Sequence, residues 1–196
     1  MQFRGSMKVG KLRLLENIYD RNSETGGFVI RLSINHYTDI FNELDPSPLR
    51  KRDLDPDFLN YLNECSADIP LKYGIELHIH CPHKIEDNHR EYRVREGIKA
   101  CCSYNLLKLK NRLSQLYRKA GMYILVFIVL MSISIVFRVP LEVSFVTSIL
   151  LSGFSIGGWV FLWEAIVLLA FERMKEKSEF RRYERLLHSP VLFLYY

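Results

Sequence analysis

Two apolar runs in the second half of the chain limit its possible folds more than any other feature. Gly121–Phe137 carries no charged residue, and Val143–Phe171 carries one, Glu164. About 17 apolar residues is the lower limit for a helix that crosses a bilayer, and about 20 is typical. The second run exceeds that length, so its first part lies at an interface or its helix tilts. Hydrocarbon offers the backbone no hydrogen-bonding partner, so a segment crossing it must be helical. The sequence therefore predicts a transmembrane hairpin, with spans over 121–138 and 143–171. Pro140 breaks the short connection between them. The alternative is a buried hairpin in a soluble core, where two such runs with basic flanks are uncommon.

The flanks assign an orientation. Lys108, Lys110, Arg112, Arg118 and Lys119 precede the first run, and Arg173, Lys175, Lys177, Arg181, Arg182 and Arg185 follow the second; the connection offers only Arg138. Lys and Arg accumulate on cytoplasmic flanks, which predicts both termini in the cytoplasm and the connection outside. The formal charge of +5 is unevenly spread, since residues 1–83 hold ten Lys and Arg against twelve Asp and Glu. The cationic excess beside the spans suits anionic lipid headgroups. A nucleic-acid-binding domain would carry its basic patch on the folded part, and none is visible there.

Within the second run, Ser144, Ser148 and Ser152 recur at four-residue spacing, and Gly153-Phe-Ser-Ile-Gly157 is a small-xxx-small pattern. Small residues allow helix backbones to approach closely in lipid. The pattern fits contact between the chain's own two spans and equally fits self-association of several copies. Glu164 is the one ionisable group in either run. Intramembrane carboxylates mark functional sites by default. Glu164 also lies about two turns before Glu172-Arg173, where a structural pairing with a basic flank residue near the headgroups is the simpler reading.

The chain before the spans reads as a small α/β domain. Residues 1–27 form an N-terminal segment, in which Met1–Met7 lacks the apolar h-region of a secretory signal. The domain proper is predicted over 28–100. Phe28–Ile34 and Ile75–Cys81 read as strands, the second alternating apolar residues with Glu76, His78 and His80. Between them, Asp55-Pro56 reads as an N-cap followed by proline at the first helical position, opening a helix that buries Phe58, Leu59 and Leu62. If both strands share a sheet they should be parallel. Two strands make a poor sheet, so a third is expected from residues 8–18 or from a second copy. A long helix from about Asp87, with Gly97 as its weak point, continues through a juxtamembrane segment, 101–120, into the first span. Residues 172–196 form a cytoplasmic tail. Its first part is an amphipathic helix, and Pro190–Tyr196 should dock on protein or enter the membrane interface. Cys65, Cys81, Cys101 and Cys102 fall in the cytoplasmic part and are expected to be reduced.

Two clusters invite a metal reading. His78-Ile-His80-Cys-Pro-His83, with His36 and His89 as possible helpers, places two imidazoles on one face of a strand at roughly 6–7 Å, a separation that can converge on zinc. No further ligand frame supports it, and histidines on the solvent face of a half-buried strand account for the pattern. Asp45, Asp53, Asp55 and Asp57 lack the glycine and distal glutamate of a calcium loop. Capping and local pairing with Arg50-Lys51-Arg52 explain them more simply. No nucleophile elbow, phosphate loop or dinucleotide fingerprint is present, so no catalytic residue or cofactor is assigned.

Leu44-Asp-Pro-Ser-Pro48 followed by Arg52-Asp-Leu-Asp-Pro56 resembles a motif in a family of small, uncharacterised bacterial membrane proteins. These have a strand ending near a proline, a helix leading into two spans, and a basic-aromatic tail. The resemblance covers about residues 28–190, although the family's proline after the second-span tryptophan is not evident at Trp163-Glu164-Ala165. It implies a two-pass protein of the bacterial inner membrane and transfers no functional residue. The expected function is non-enzymatic: self-association through the hairpin, with the α/β module presented to a cytoplasmic protein partner. The alternative is a subunit of a small oligomeric channel or transporter with Glu164 near the pathway. Under that alternative a second structural class, a pore, replaces the scaffold.

Overall fold

The computed structural model describes residues 13–48, 50–138 and 145–196. The connection carrying Pro140, the first residue of the serine series (Ser144) and most of the N-terminal segment lie outside the described residues. The chain forms two compact units, one built from the residues up to Leu107 together with Arg181–Tyr196, the other from Lys108–Phe180.

The first unit is a four-stranded sheet in the order β1-β2-β3-β4, with β1 at Asp20–Arg21, β2 at Phe28–Ser33, β3 at Ile75–Cys81 and β4 at Val191–Tyr195. β2 and β3 are parallel, with Phe28 opposite Ile75 and Ser33 opposite His80. They are joined through helix α1, Pro56–Asp68. The predicted cap is present: the Asp55 carboxylate accepts from the backbone N–H of Asp57 and Phe58, which would otherwise be orphaned at the helix start. Phe28, Ile30, Leu77 and Ile79 are fully buried on the helix-covered face of the sheet. Leu62 of α1 is buried against them, with Phe58 half-buried beside it.

The remaining strands depart from the sequence reading. Residues 13–18 are helical, with Leu15 buried in the core, so no strand comes from there. β1 has only two residues and pairs antiparallel with β2. The fourth strand is the aromatic tail, which lies parallel to β3 with Leu77 opposite Val191 and Cys81 opposite Tyr195. The reason is local chemistry. Val191, Phe193 and Tyr195 present one apolar face to the cluster containing Tyr37, Ile79, Val94, Ile98 and Leu186. The next strand that β3 requires is thus supplied by the same chain, about 110 residues downstream.

Helix α2, Asn88–Arg138, is continuous over 51 residues and runs through Gly97 without a break. Helix α3, Phe145–Val167, passes through a π-helical stretch at Leu168–Glu172 into α4, Arg173–Leu187. α2 and the α3–α4 segment each contain a stretch long and apolar enough to cross a membrane. In the second unit, Leu116, Ala120 and Leu168 form a small core flanked by Tyr123 and Leu169.

Candidate functional site

The two apolar helices of the second unit meet along a seam that can be built residue by residue. Leu151, Gly158 and Ala165, spaced by seven, are the buried positions of α3. The Ser134 hydroxyl donates to the Leu151 carbonyl at 3.0 Å, and the Ser155 hydroxyl lies 3.7 Å from the Met131 sulfur. Tyr123 meets Phe161 edge-on at 5.8 Å, and Phe127 lies 6.1 Å from Trp159. The glycine at the tightest point is Gly158. A side chain there would meet Met131 at 3.3 Å, whereas one at Gly157 would reach Leu130 only at 3.9 Å and one at Gly153 would meet nothing within 4 Å. The small-xxx-small pair thus turns away from the seam, and the neighbouring glycine serves it. The phase is set by Met131 and Ser134 on the facing helix, which the spacing within α3 alone does not reveal.

Gly153, Gly157, Val160 and Glu164, spaced i, i+4, i+7 and i+11, follow one line along the outer side of α3. Glu164 is exposed and has no hydrogen bond or ion pair among the described residues. Of the serines, Ser148 is exposed, and the Ser152 hydroxyl is satisfied within its own helix by the Ser148 carbonyl at 2.9 Å.

The basic flanks are largely exposed: Lys108, Lys110, Arg112, Arg118, Lys119, Arg173, Lys175 and Arg181 all face outward. Lys119 lies over the Tyr123 ring and Arg173 over the Tyr117 ring, at 5.7 and 5.6 Å. Arg182 is half-buried. Arg185 of the same flank behaves differently, with a role that its basic surroundings in the sequence do not reveal. Within the first unit its guanidinium donates to the carbonyls of Ile69 (3.1 and 3.2 Å), Pro70 (3.0 Å), Tyr73 (3.2 Å) and Ser66, and to the Ser66 hydroxyl (3.0 Å). These are the acceptors left over where α1 ends, and a cation there also meets the negative end of the helix dipole. Burial, with Arg182 nearby, pulls the Arg185 guanidinium down to about 10. Arg185 also helps line a cavity of about 600 Å³ with Lys72, Tyr73, Glu76, Arg181 and Glu184.

The histidines do not converge. His78 lies 3.5 Å from the buried Glu76 carboxylate. That carboxylate also accepts from Thr25 and Asn22, and the Thr25 hydroxyl is the main reason it stays below the usual carboxylate range. His80 is half-buried on the same strand. His83 lies 3.7 Å from Glu86 and stacks on Tyr195 at 5.8 Å, while His36 and His89 are exposed elsewhere. No group of three His, Cys, Asp or Glu able to hold a metal occurs among the described residues. All four cysteines are free thiols. Cys81 and Cys102 are pushed up to about 11 and about 12, chiefly by burial, which keeps them protonated and unreactive.

The Asp45–Asp57 segment folds back on the residues just before it. Asp45 accepts from the backbone N–H of Ser47 and Asp53, and the Asp53 N–H above all holds its carboxyl below the ordinary value. Arg52 donates to the carbonyls of Asn42 and Glu43. Phe41 and Leu54 bridge its two arms.

A second polar cluster fixes β4. The Tyr195 hydroxyl donates to the buried Glu91 carboxylate and bonds to the Tyr37 hydroxyl. Burial first, then Glu91, raises the Tyr195 phenol well above its ordinary value. Arg95 pairs with Glu91 at 2.8 Å, donates to the Val191 carbonyl at 3.0 Å, and lies over the Phe193 ring at 5.0 Å. What the fold defines is therefore a small α/β sheet unit closed by the chain's own tail, with a pair of long apolar helices inserted between its third and fourth strands. No protein-family model, curated protein or solved structure matches the chain.

Proposed function

We propose that the protein spans a membrane twice, keeps both termini on the cytoplasmic side, self-associates through the outer side of α3, and presents its α/β unit to a cytoplasmic protein. The observation that carries this reading is the exposure of the apolar helices. Only 11% and 17% of their most apolar windows are buried. Leu125, Ile128, Ile135, Phe145, Ile156 and Trp163 are each more than half exposed. Apolar surface on that scale is unfavourable in water and suits lipid. The core helix of a soluble protein would instead be mostly buried. The basic flanks favour the cytoplasmic side for both ends, and the resemblance of the Leu44–Pro56 segment favours the bacterial inner membrane. In membranes from an expressing bacterium, the chain should resist alkaline carbonate extraction. Cysteines introduced at Arg112 and Lys175 should be labelled only after the inner leaflet is opened. Release into the carbonate wash would overturn the reading.

Glu164 supports a second reading, in which an oligomer lines a pathway with this carboxylate. Its exposure on an apolar helix, without a partner among the described residues, is the observation in its favour. Glu164→Gln separates the two readings. For a scaffold, proteoliposomes of either form should show no selective ion flux, whatever the substitution does to the native mass. For a pore, the assembly should persist while ion flux in proteoliposomes changes, and a selective flux lost in the variant would replace the first reading with the second.

A further inference from the structure

The contacts between α2 and α3 fix their relative depth. Ser134 meets Leu151, Met131 meets Ser155, Phe127 meets Trp159 and Tyr123 meets Phe161. The two helices are therefore antiparallel, and each turn back along α2 is a turn forward along α3. The next turn brings Ala120 level with Ala165, both 1% exposed and both in the seam. Glu164 thus stands level with Gly121, where the uncharged run of α2 begins. It lies at the edge of the apolar layer, not at its middle. Trp163 and Tyr117, within about one turn of this level, are 66% and 46% exposed. Exposed Trp and Tyr collect at membrane–water interfaces.

At this depth one side of the seam carries a charge on each helix. The Lys119 ammonium lies over the Tyr123 ring at 5.7 Å, and Tyr123 meets Phe161 edge-on at 5.8 Å. Glu164 is one turn beyond Phe161 on the same side of α3. The row across the two helices is therefore a cation, two rings and a carboxylate. Lys119 and Glu164 are both exposed, and neither has an ion pair among the described residues. Other charges do not enter the row. Tyr117 and Tyr123, three residues either side of Ala120, flank the seam on opposite sides, and Arg173 is held over Tyr117 at 5.6 Å. Arg118, two residues before Ala120, points away from α3. Arg112 and Glu172 are about two turns further from the apolar runs.

We infer that this row seats the headgroup of a phospholipid bearing a primary ammonium, of the phosphoethanolamine class. The phosphate lies on Lys119 and the ammonium donates to Glu164, over a floor of Tyr123 and Phe161. An ionised carboxylate beside hydrocarbon is costly without a partner, and this headgroup supplies one while its own phosphate meets the lysine. A phosphoglycerol headgroup would meet Lys119 but bring no cation to Glu164. A phosphocholine headgroup has no N–H for a charge-assisted hydrogen bond to the carboxylate. The inference rests on the reading that α2 and α3 cross a membrane, and is independent of self-association.

The full-length chain can be reconstituted in liposomes of equal parts phosphatidylethanolamine, phosphatidylcholine and phosphatidylglycerol, and examined by native mass spectrometry in mild detergent. It should retain phosphatidylethanolamine at least about tenfold over phosphatidylcholine, the worth of one hydrogen bond to a charged group. Glu164→Gln should abolish that preference and raise the share of phosphatidylglycerol. Lys119→Gln should lower retention of both phosphatidylethanolamine and phosphatidylglycerol. Both substitutions fall on exposed side chains outside the seam. Lys110→Gln, an exposed cation of the same flank, should change neither lipid. Equal retention of ethanolamine and choline lipids, or a preference unmoved by Glu164→Gln or by Lys119→Gln, overturns the proposal. Carbonate extraction of the same liposomes separates the failures. A chain that stays with the lipid but shows no preference removes the headgroup seat and leaves the membrane crossing standing. A chain released into the wash removes both.

Discussion

Ending the chain after Ser189 should abolish cooperative folding of the α/β unit. Loss of β4 removes the ladder on β3, including the 2.9 Å bond at Leu77 and the 3.1 Å bond at Cys81. It also uncovers the apolar cluster on which Val191, Phe193 and Tyr195 are packed. Phe193 and Tyr195 are half-buried, so losing each costs part of the roughly 3–5 kcal/mol typical of a fully buried aromatic. The buried Glu91 carboxylate would lose its Tyr195 partner as well. Since a domain has only about 5–15 kcal/mol to lose, the sum takes most of it. Hydrogen exchange on the detergent-solubilised protein should show the amides of Ile75–Cys81 changing from strongly protected to nearly unprotected, while those of Ile124–Met131 stay protected. Retained protection in β3 would mean that the tail is an accessory to the sheet.

Arg185→Ala is the second large effect expected. One side chain serves the carbonyls of Ser66, Ile69, Pro70 and Tyr73, and Ser66 and Ile69 are buried. Hydrogen bonds from a charged donor contribute about 1.5–3 kcal/mol each, and leaving buried acceptors unmet costs about 1–3 kcal/mol. These bonds share one donor group and do not add, so a loss of about 3 kcal/mol is the expected size. Urea titration followed by pulse proteolysis should show the midpoint of the α/β unit fall by about 1–3 M, given slopes of about 1–3 kcal/mol per M. Arg185→Lys should recover part of the loss, since a single ammonium cannot reproduce the guanidinium fork. Arg173→Ala, which removes an exposed cation of the same flank, should leave the midpoint unchanged. Equal effects from Arg173 and Arg185 would refute a capping role.

The parts of this fold that were legible in the sequence are those whose signals are local. β2 and β3 announced themselves by alternation and by the turn residues bounding them. α1 did so through Asp55-Pro56, where a carboxylate and a proline meet the geometric needs of a helix start. The apolar helices followed from length alone. What stayed hidden depends on contacts between distant residues. Six apolar and aromatic residues after Pro190 fit a strand, a membrane interface or a docking segment equally well, and only the open side of β3 decides among them. Arg185 sits in a basic amphipathic helix among residues of the same type. Nothing within that helix shows that this arginine meets the end of another helix more than a hundred residues earlier. Along α3, a glycine pair at favourable spacing drew attention to Gly153 and Gly157, although the facing helix placed its closest contact on Gly158.

The order of the strands also bears on how the molecule is made. β3 emerges from the ribosome long before its neighbour β4, and everything between them must be synthesised first. During that interval β3 has one unfinished side, and the sheet cannot close on any shorter product. If the two long helices enter a bilayer, β3 and β4 can pair only when the chain has returned to the side from which it left. A chain that crossed once would strand its last residues across the barrier, and its sheet would stay open. With two crossings of a bilayer, closure of the sheet would then depend on correct insertion, and a chain inserted wrongly would fail to fold.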